Sequence, residues 1–240
     1  TKARLAATRE GARIATMPGV TFDMFTQGGM TADFVAIRSA IQRAGAKLRK
    51  RSKVHVTSQA GTDVEFLIDK GKWSKEDTGV CNRPGMITNL PAGKIFAMPK
   101  EGTMNGTIVL DGSFESRIID DELVILSVED GLVTDIQGGA VADHMRQMYS
   151  EVDADLPKLK QGLVWTMAEF GFGMNPNAQI IGNVLEDEKT LGTAYFSIGD
   201  NHALGGNVSV GIHVSAVLRC PSVKVGNLQV IDAGELVLGG

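Results

Sequence analysis

Cysteine is scarce in this chain of 240 residues: Cys81 and Cys220 stand far apart, and neither belongs to a Cys-x-x-Cys pair. A disulfide framework and a structural zinc cluster are therefore not implied, and a reducing, cytoplasmic setting fits best. Long hydrophobic runs are missing too. No apolar stretch approaches the roughly 20 residues that span a bilayer, and no charged segment with an apolar follower opens the chain, so membrane and secreted classes fall away. The Arg-rich start, residues 2–13, imitates a transit peptide but runs unbroken into a Gly-punctuated apolar segment that reads as folded protein. There is no excess of positive charge either: 24 Lys and Arg face 28 Asp and Glu, for a formal net charge of -4. That balance argues against a nucleic-acid partner. No Gly-x-Ser-x-Gly elbow and no Walker pattern occurs, so serine hydrolysis, nucleotide hydrolysis and a dinucleotide cofactor lack positive support.

Aromatics supply only 5% of the residues, whereas glycine supplies 29 of them. Many tight turns suggest many short strands. Residues 2–10 read as a helix stopped by Gly11, followed by a short strand over 12–17 and a Pro18-Gly19 turn. Helix, stop, strand and turn resemble the closing unit of a parallel α/β sheet. Residues 1–30 are accordingly expected to be the closing unit, or remnant, of an N-terminal α/β domain whose earlier strands precede residue 1. Residues 31–240 are expected to form a β-rich, catalytic-type domain, giving an α+β fold overall.

Within that second unit, Phe34, Ile37, Ile41, Ala44 and Leu48 recur at helical spacing across 32–50. The basic cluster Lys47, Arg49, Lys50, Arg51 and Lys53 closes that helix and reads as a solvated C-terminus rather than an anion site. The rhythm then changes to period two: Val54 and Val56, then Val64, Phe66 and Ile68, form a hairpin around Gly61-Thr62-Asp63. Further strands are predicted over 106–111, 122–128 and 132–136, the last two joined by Asp130-Gly131. A helix over 140–152 follows, then strands over 165–170, 193–199 and 210–218, and hairpins through Gly226-Asn227 and Ala233-Gly234. Asp111 and Asp130 read as turn residues, Asp120 to Glu122 as solvated surface, and His55 and His144 as surface or helix positions.

Candidate chemistry gathers in the last third. Glu169 sits inside an apolar run, Ala168 to Phe172, and a carboxylate there needs a cation, a metal or a proton unless it faces water or a nearby lysine. His202 and His213 lie on a turn and a strand that a hairpin could bring together. With Glu169 they would make a two-histidine, one-carboxylate set suited to one zinc or iron with open coordination positions. Glu186 and Glu188 could reach such a metal from a loop.

Several runs together carry a family resemblance. They are Asn89-Leu90-Pro91-Ala92-Gly93, Asn105-Gly106-Thr107 leading to Asp111-Gly112, Val128-Glu129-Asp130-Gly131, Glu169 to Pro176, Glu186 to Lys189, Gly192-Thr193, Gly199-Asp200-Asn201 and Gly205-Gly206. Across most of the chain these resemble the M29-like metallopeptidase superfamily, which includes aminopeptidases of the T and S type and the iron-dependent 2,5-dihydroxypyridine dioxygenases. The resemblance implies a preceding α/β domain and a homodimer with an enclosed cavity. It also implies metal ligands, several of which are altered here. A first ligand glutamate falls on Lys94, a second on Glu169, and a histidine and tyrosine seven residues apart fall exchanged on Tyr195 and His202. A final His-x-Asp falls on His213 and Ser215.

An ammonium at Lys94 repels a second divalent ion and could replace its charge. The expectation is one divalent metal, zinc or iron or else manganese or cobalt, on Glu169, His202 and His213, with Lys94, Tyr195 and Ser215 as catalytic groups. The implied function is an aminopeptidase-like or amide hydrolase acting on a small molecule or short peptide. The alternatives are an iron-dependent ring-cleaving dioxygenase, and a metal-free enzyme or non-catalytic scaffold.

Overall fold

The computed structural model describes residues 2–120 and 122–238. It has the α+β architecture expected: two antiparallel sheets stacked face to face, with helices at their margins. The larger sheet has eight strands. In spatial order they are Leu132–Gln137, Val124–Glu129, Asn105–Leu110, Asp63–Leu67, Lys53–Thr57, Ser222–Val225, Leu228–Asp232 and Glu235–Leu236. The smaller has six, in the order Lys94–Ala97, Met167–Gly173, Ala194–Gly199, His213–Leu218, Ser113–Phe114 and Arg117–Ile118. Phe66 of the first sheet meets Phe170 and Phe196 of the second, with ring centroids 5.0 and 6.1 Å apart, and Trp73 packs 6.2 Å from Phe170. Edge-to-face contacts of this kind add to the burial of the rings themselves.

Sequence rhythm accounts for most of this. Val54, Val56, Val64 and Phe66 alternate inward along the hairpin, as period two requires. The helix Phe34–Leu48 buries Ile37, Ile41, Ala44 and Leu48 and starts where the Asp33 side chain accepts from the N–H groups of Val35 and Ala36. The helix Ala140–Asp155 buries Met145 and Tyr149, and the Tyr149 hydroxyl donates to the Ile198 carbonyl at 2.9 Å.

Three local expectations shift. The strand expected over 165–170 begins at Met167, because Leu163–Trp165 turns in a 3-10 coil, and runs on to Gly173. The strand expected over 210–218 begins at His213: the Asp200 carboxylate takes the N–H groups of Val210 and Gly211 and holds them out of the sheet. The strand Lys94–Ala97, unanticipated from sequence, pairs with Met167–Gly173 in the register Gly173 to Lys94.

Near the N-terminus, the helix Lys2–Arg9 leads to Ile14–Thr16, which pairs in parallel with Ile87–Asn89. The described part of this first unit, residues 2–30, is tied to the later chain by this pair, and also by Gly29, whose N–H donates to Glu186 at 2.6 Å. Among the described residues no helix is long and apolar enough to cross a membrane.

Candidate active site

The central strands of the six-stranded sheet, Met167–Gly173 and Ala194–Gly199, are buried on both faces, and the strands alternate between two chemistries. Phe170, Phe172, Phe196, Ile198, Ala216 and Leu218 belong to the apolar core. Their sequence neighbours point the other way. Glu169 lies opposite Ser197, Ser197 opposite Ser215, Gly171 opposite Tyr195, and Gly173 opposite Lys94, so register alone collects these side chains on the second face. Gly171 is required: a Cβ there would stand 2.5 Å from the Tyr195 hydroxyl, so its absence makes room for the ring.

Residues 174–193 cover this face. Asn175, fully buried, pins the cover by donating from Nδ2 to the Gly29 and Ala92 carbonyls, each at 2.9 Å, while its N–H donates to the Lys189 carbonyl. The short helix Val184–Asp187, opened by Asn183 accepting from Leu185 N–H, then delivers Glu188 and Lys189 beneath the strands.

The result is a buried ionic network. Lys94 Nζ donates to Glu188 Oε2 at 2.7 Å and to Glu169 Oε1 at 3.0 Å, and lies 4.6 Å above the Tyr195 ring. Lys189 Nζ donates to the same Glu188 oxygen at 3.0 Å. The Tyr195 hydroxyl donates to Glu169 Oε1, and the Ser215 hydroxyl to Glu188 Oε1. Ser197 and Ser215 share a hydrogen bond of 2.7 Å.

Burial by itself would push the Lys94 ammonium toward losing its proton, but Glu188, Glu169 and Asp77 outweigh it and hold its pKa above the ordinary lysine value. For Glu188, burial would raise the carboxyl, but Lys94 and Lys189 reverse the balance and hold it well below the usual range. Burial drives the Tyr195 hydroxyl far up, reinforced by Glu169 and Glu188, so it is a fixed donor. Asp77, which accepts the Gly93 N–H at 3.1 Å, is raised by burial against the pull of Lys189 and Lys94.

Glu169 also faces outward. Its second oxygen, Oε2, stands 3.9 Å from His213 Nε2, and the His213 side chain is 37% exposed against 7% for Glu169. His213 Nδ1 is 2.7 Å from the Asp200 carbonyl, which can only accept, so Nδ1 carries a proton. Asp200 itself accepts from the N–H groups of His202, Val210 and Gly211, and these hold its carboxyl below the ordinary range although burial opposes them. Glu169 and His213, with Asp200, Ala203, Leu204, Gly211 and Ile212, line a mostly apolar cavity of about 380 Å³.

Five of the six expected site residues therefore meet. Lys94, Tyr195 and Ser215 join Glu169 in one hydrogen-bonded cluster, and His213 stands at its mouth. His202 does not join them. It lies exposed at the start of a 3-10 turn, held there by its backbone N–H on Asp200 and Val208, and no set of three His, Cys, Asp or Glu side chains is arranged to hold a metal among the described residues. The residues sequence missed are Lys189 and Asp77, while Glu188 was weighed only as a loop ligand. No local signal was available, because the acidic run after Asn183, Glu186 to Glu188, ordinarily marks a solvated turn. His55 and His144 lie apart, paired with Asp63 and Glu115.

A family model described as NicX: 2,5-dihydroxypyridine 5,6-dioxygenase matches residues 3–238. A curated relative from Pseudomonas putida, named 2,5-dihydroxypyridine 5,6-dioxygenase, is 28% identical over 203 residues, covering 79% of this chain and 55% of its own. The chain thus spans about half the length of that relative. Among solved structures, 2,5-dihydroxypyridine dioxygenase from Pseudomonas putida aligns over 99% of this chain and 68% of its own, with a TM-score of 0.79 at 22% identity. Wild-type AmpT from Thermus thermophilus aligns over 85% of this chain and 55% of its own, with a TM-score of 0.60 at 14% identity. At these identities both structures bear on the fold alone.

Proposed function

This chain belongs to the family described as NicX, 2,5-dihydroxypyridine 5,6-dioxygenase, and from that premise we propose that it is a dioxygenase-like enzyme acting on a small hydroxylated ring rather than an aminopeptidase. The observation that carries the reading is the pairing of Glu169 Oε2 and His213 Nε2 on the floor of the apolar 380 Å³ cavity. A planar ring suits its Leu204, Ile212 and Ala203 walls, and its hydroxyls can reach the two polar atoms below. An aminopeptidase of the kind resembled uses two cations, and here the Lys94 ammonium already fills a point between two carboxylates.

Of the three expected ligands only Glu169 and His213 stay together, and these two donors would hold one divalent metal with its other positions left to substrate and water. His213 holds its proton on Nδ1, so in the neutral ring Nε2 offers a lone pair toward a carboxylate oxygen that also only accepts. Two acceptors facing each other call for a cation or a proton between them, and the carbonyl bond that orients His213 is typical of a metal-bound imidazole. When bound, the ion would supply Lewis acidity and open positions for a chelating ring, the mode expected of iron in such oxygenases. The chain's own groups do the rest. Lys94 and Tyr195 grip Glu169 Oε1 and leave Oε2 free, Ser215 and Ser197 brace Glu188, and Asp200 fixes the His213 ring.

The test combines metal analysis of protein purified without chelator with titration of 2,5-dihydroxypyridine. A single equivalent of divalent metal, sharply reduced by His213→Ala, together with saturable ring binding, supports the reading. Absence of both metal and ring binding overturns it, and peptide hydrolysis dependent on two metals restores the aminopeptidase alternative.

A further inference from the structure

A second cavity, of about 300 Å³, is formed by the helix Phe34–Leu48 and the segment 75–87, and it shares no residue with the cavity that Glu169 and His213 line. Its charged lining is Arg38, Lys75 and Arg83 against the single carboxylate of Glu76. None of these four side chains makes an ion pair or a hydrogen bond among the described residues. The buried lysines behave differently, since Lys94 and Lys189 are both answered by Glu188. Like charges gathered around one concavity repel each other, and only an outside anion can relieve them.

The fold places these cations rather than merely exposing them. Arg38 stands one helical turn before Gln42, so both project from one face of the helix into the cavity. Two turns after Arg38 comes Gly45, buried in the helix interior, where glycine weakens a helix. A Cβ added there would overlap Lys75 Cδ, so the missing side chain is what lets the Lys75 alkyl chain lie across the helix. In the same stretch Asp77 turns away and accepts the Gly93 N–H at 3.1 Å, leaving Lys75 without its charge. Val80, Met86 and Ile87 supply apolar lining.

Two guanidinium groups suit bidentate contact with carboxylates, an ammonium adds a point charge, and the apolar lining takes a hydrocarbon portion. Three cations less one carboxylate leave a balance of two positive charges. We propose that this cavity is a binding site for a small organic dianion of the short-chain dicarboxylate class, separate from the candidate active site and independent of the function proposed for it.

Calorimetric titration of glutarate into the protein at physiological salt tests this, with inorganic phosphate and the neutral diamide glutaramide as comparison probes. One saturable equivalent of glutarate is expected, and no binding of glutaramide. Affinity should fall at least about tenfold in each of Arg38→Gln, Arg83→Gln and Lys75→Met. Lys75→Met keeps an unbranched chain over Gly45 while removing the charge, so its loss is not one of packing. His213→Ala should bind glutarate as wild type does, so failure of metal or ring binding at the candidate active site leaves this inference standing. No saturable glutarate binding, or binding unchanged in the three variants, overturns it. Binding lost in His213→Ala places glutarate in the other cavity and overturns it too. Phosphate as tight as glutarate does the same, because the apolar lining would then contribute nothing.

Discussion

The two faces of the central strands Met167–Gly173 and Ala194–Gly199 are both buried and are stabilised in opposite ways. One face is dry: Phe170, Phe172, Phe196 and Leu218 pack against the larger sheet, and their contribution scales with apolar area removed from water. The other face holds Lys94, Glu169, Glu188, Lys189 and Tyr195 out of water and is tolerable only because each charge has a partner. On the apolar face a truncation leaves a hole that neighbours fill only in part, and the cost does not depend on pH. The ionic face is brittle, since deleting one partner strands the others.

Two substitutions of similar expected cost bring this difference out most strongly. Phe170→Ala should cost about 3–5 kcal/mol by opening a hole among Phe66, Trp73 and Phe196. Glu188→Gln should cost about the same for another reason, leaving Lys94 and Lys189 short of a counter-charge. Their pH dependence should separate them. The Glu188 carboxyl titrates below its unfolded value, so its contribution is present above the ordinary carboxylate range and lost as pH falls through its depressed folded value. Denaturant melts across acid pH should therefore flatten for Glu188→Gln and keep the wild-type acid limb for Phe170→Ala. Parallel acid limbs would mean that the ionic face is not the brittle one.

A smaller change sharpens the same contrast. Tyr195→Phe removes the hydroxyl that donates to Glu169 and should cost about 1.5–3 kcal/mol, the worth of a hydrogen bond to a charged group, measured by urea denaturation. A loss under about 0.5 kcal/mol would show that the Lys94 bond suffices for Glu169.

The smallest effect concerns Glu186 in the covering segment. Burial raises its pKa, against the N–H groups of Gly29 and Gln179, and its Oε2 is buried without a hydrogen-bond partner among the described residues. A raised carboxyl stabilises the fold fully below its unfolded value and loses that contribution as pH rises through its folded one. Glu186→Gln should match wild type near the bottom of that window and become the more stable of the two as pH rises through it. Thermal midpoints that stay parallel over the same range would reject this assignment.

Much of the fold was legible in local pattern. Val54, Val56, Val64 and Phe66 announced a hairpin, Phe34 through Leu48 a helix, and Asp130-Gly131 a turn, because alternation and helical spacing are properties of consecutive residues. The site was legible in part. A carboxylate among Ala168, Phe170 and Phe172 signalled that Glu169 needed a partner, and the family resemblance put Lys94, Tyr195, His213 and Ser215 in its company. Glu188 read as one more loop acid, and nothing local distinguished Lys189 from a surface lysine, yet it is 1% exposed. His202 had suitable chemistry and a suitable separation from His213, but the Asp200 turn holds it at the surface.

Chain order by itself determined that this protein has two kinds of sheet face, since the character of alternate residues is written along each strand. Only the tertiary structure decided which charges answer each other. Lys94 and Glu188 are 94 positions apart and meet because the edge strand Lys94–Ala97 pairs with Met167–Gly173 while Asn175 folds the following segment back across it. An ion pair acts through distance and dielectric, and neither exists for such residues until the sheets have closed around them.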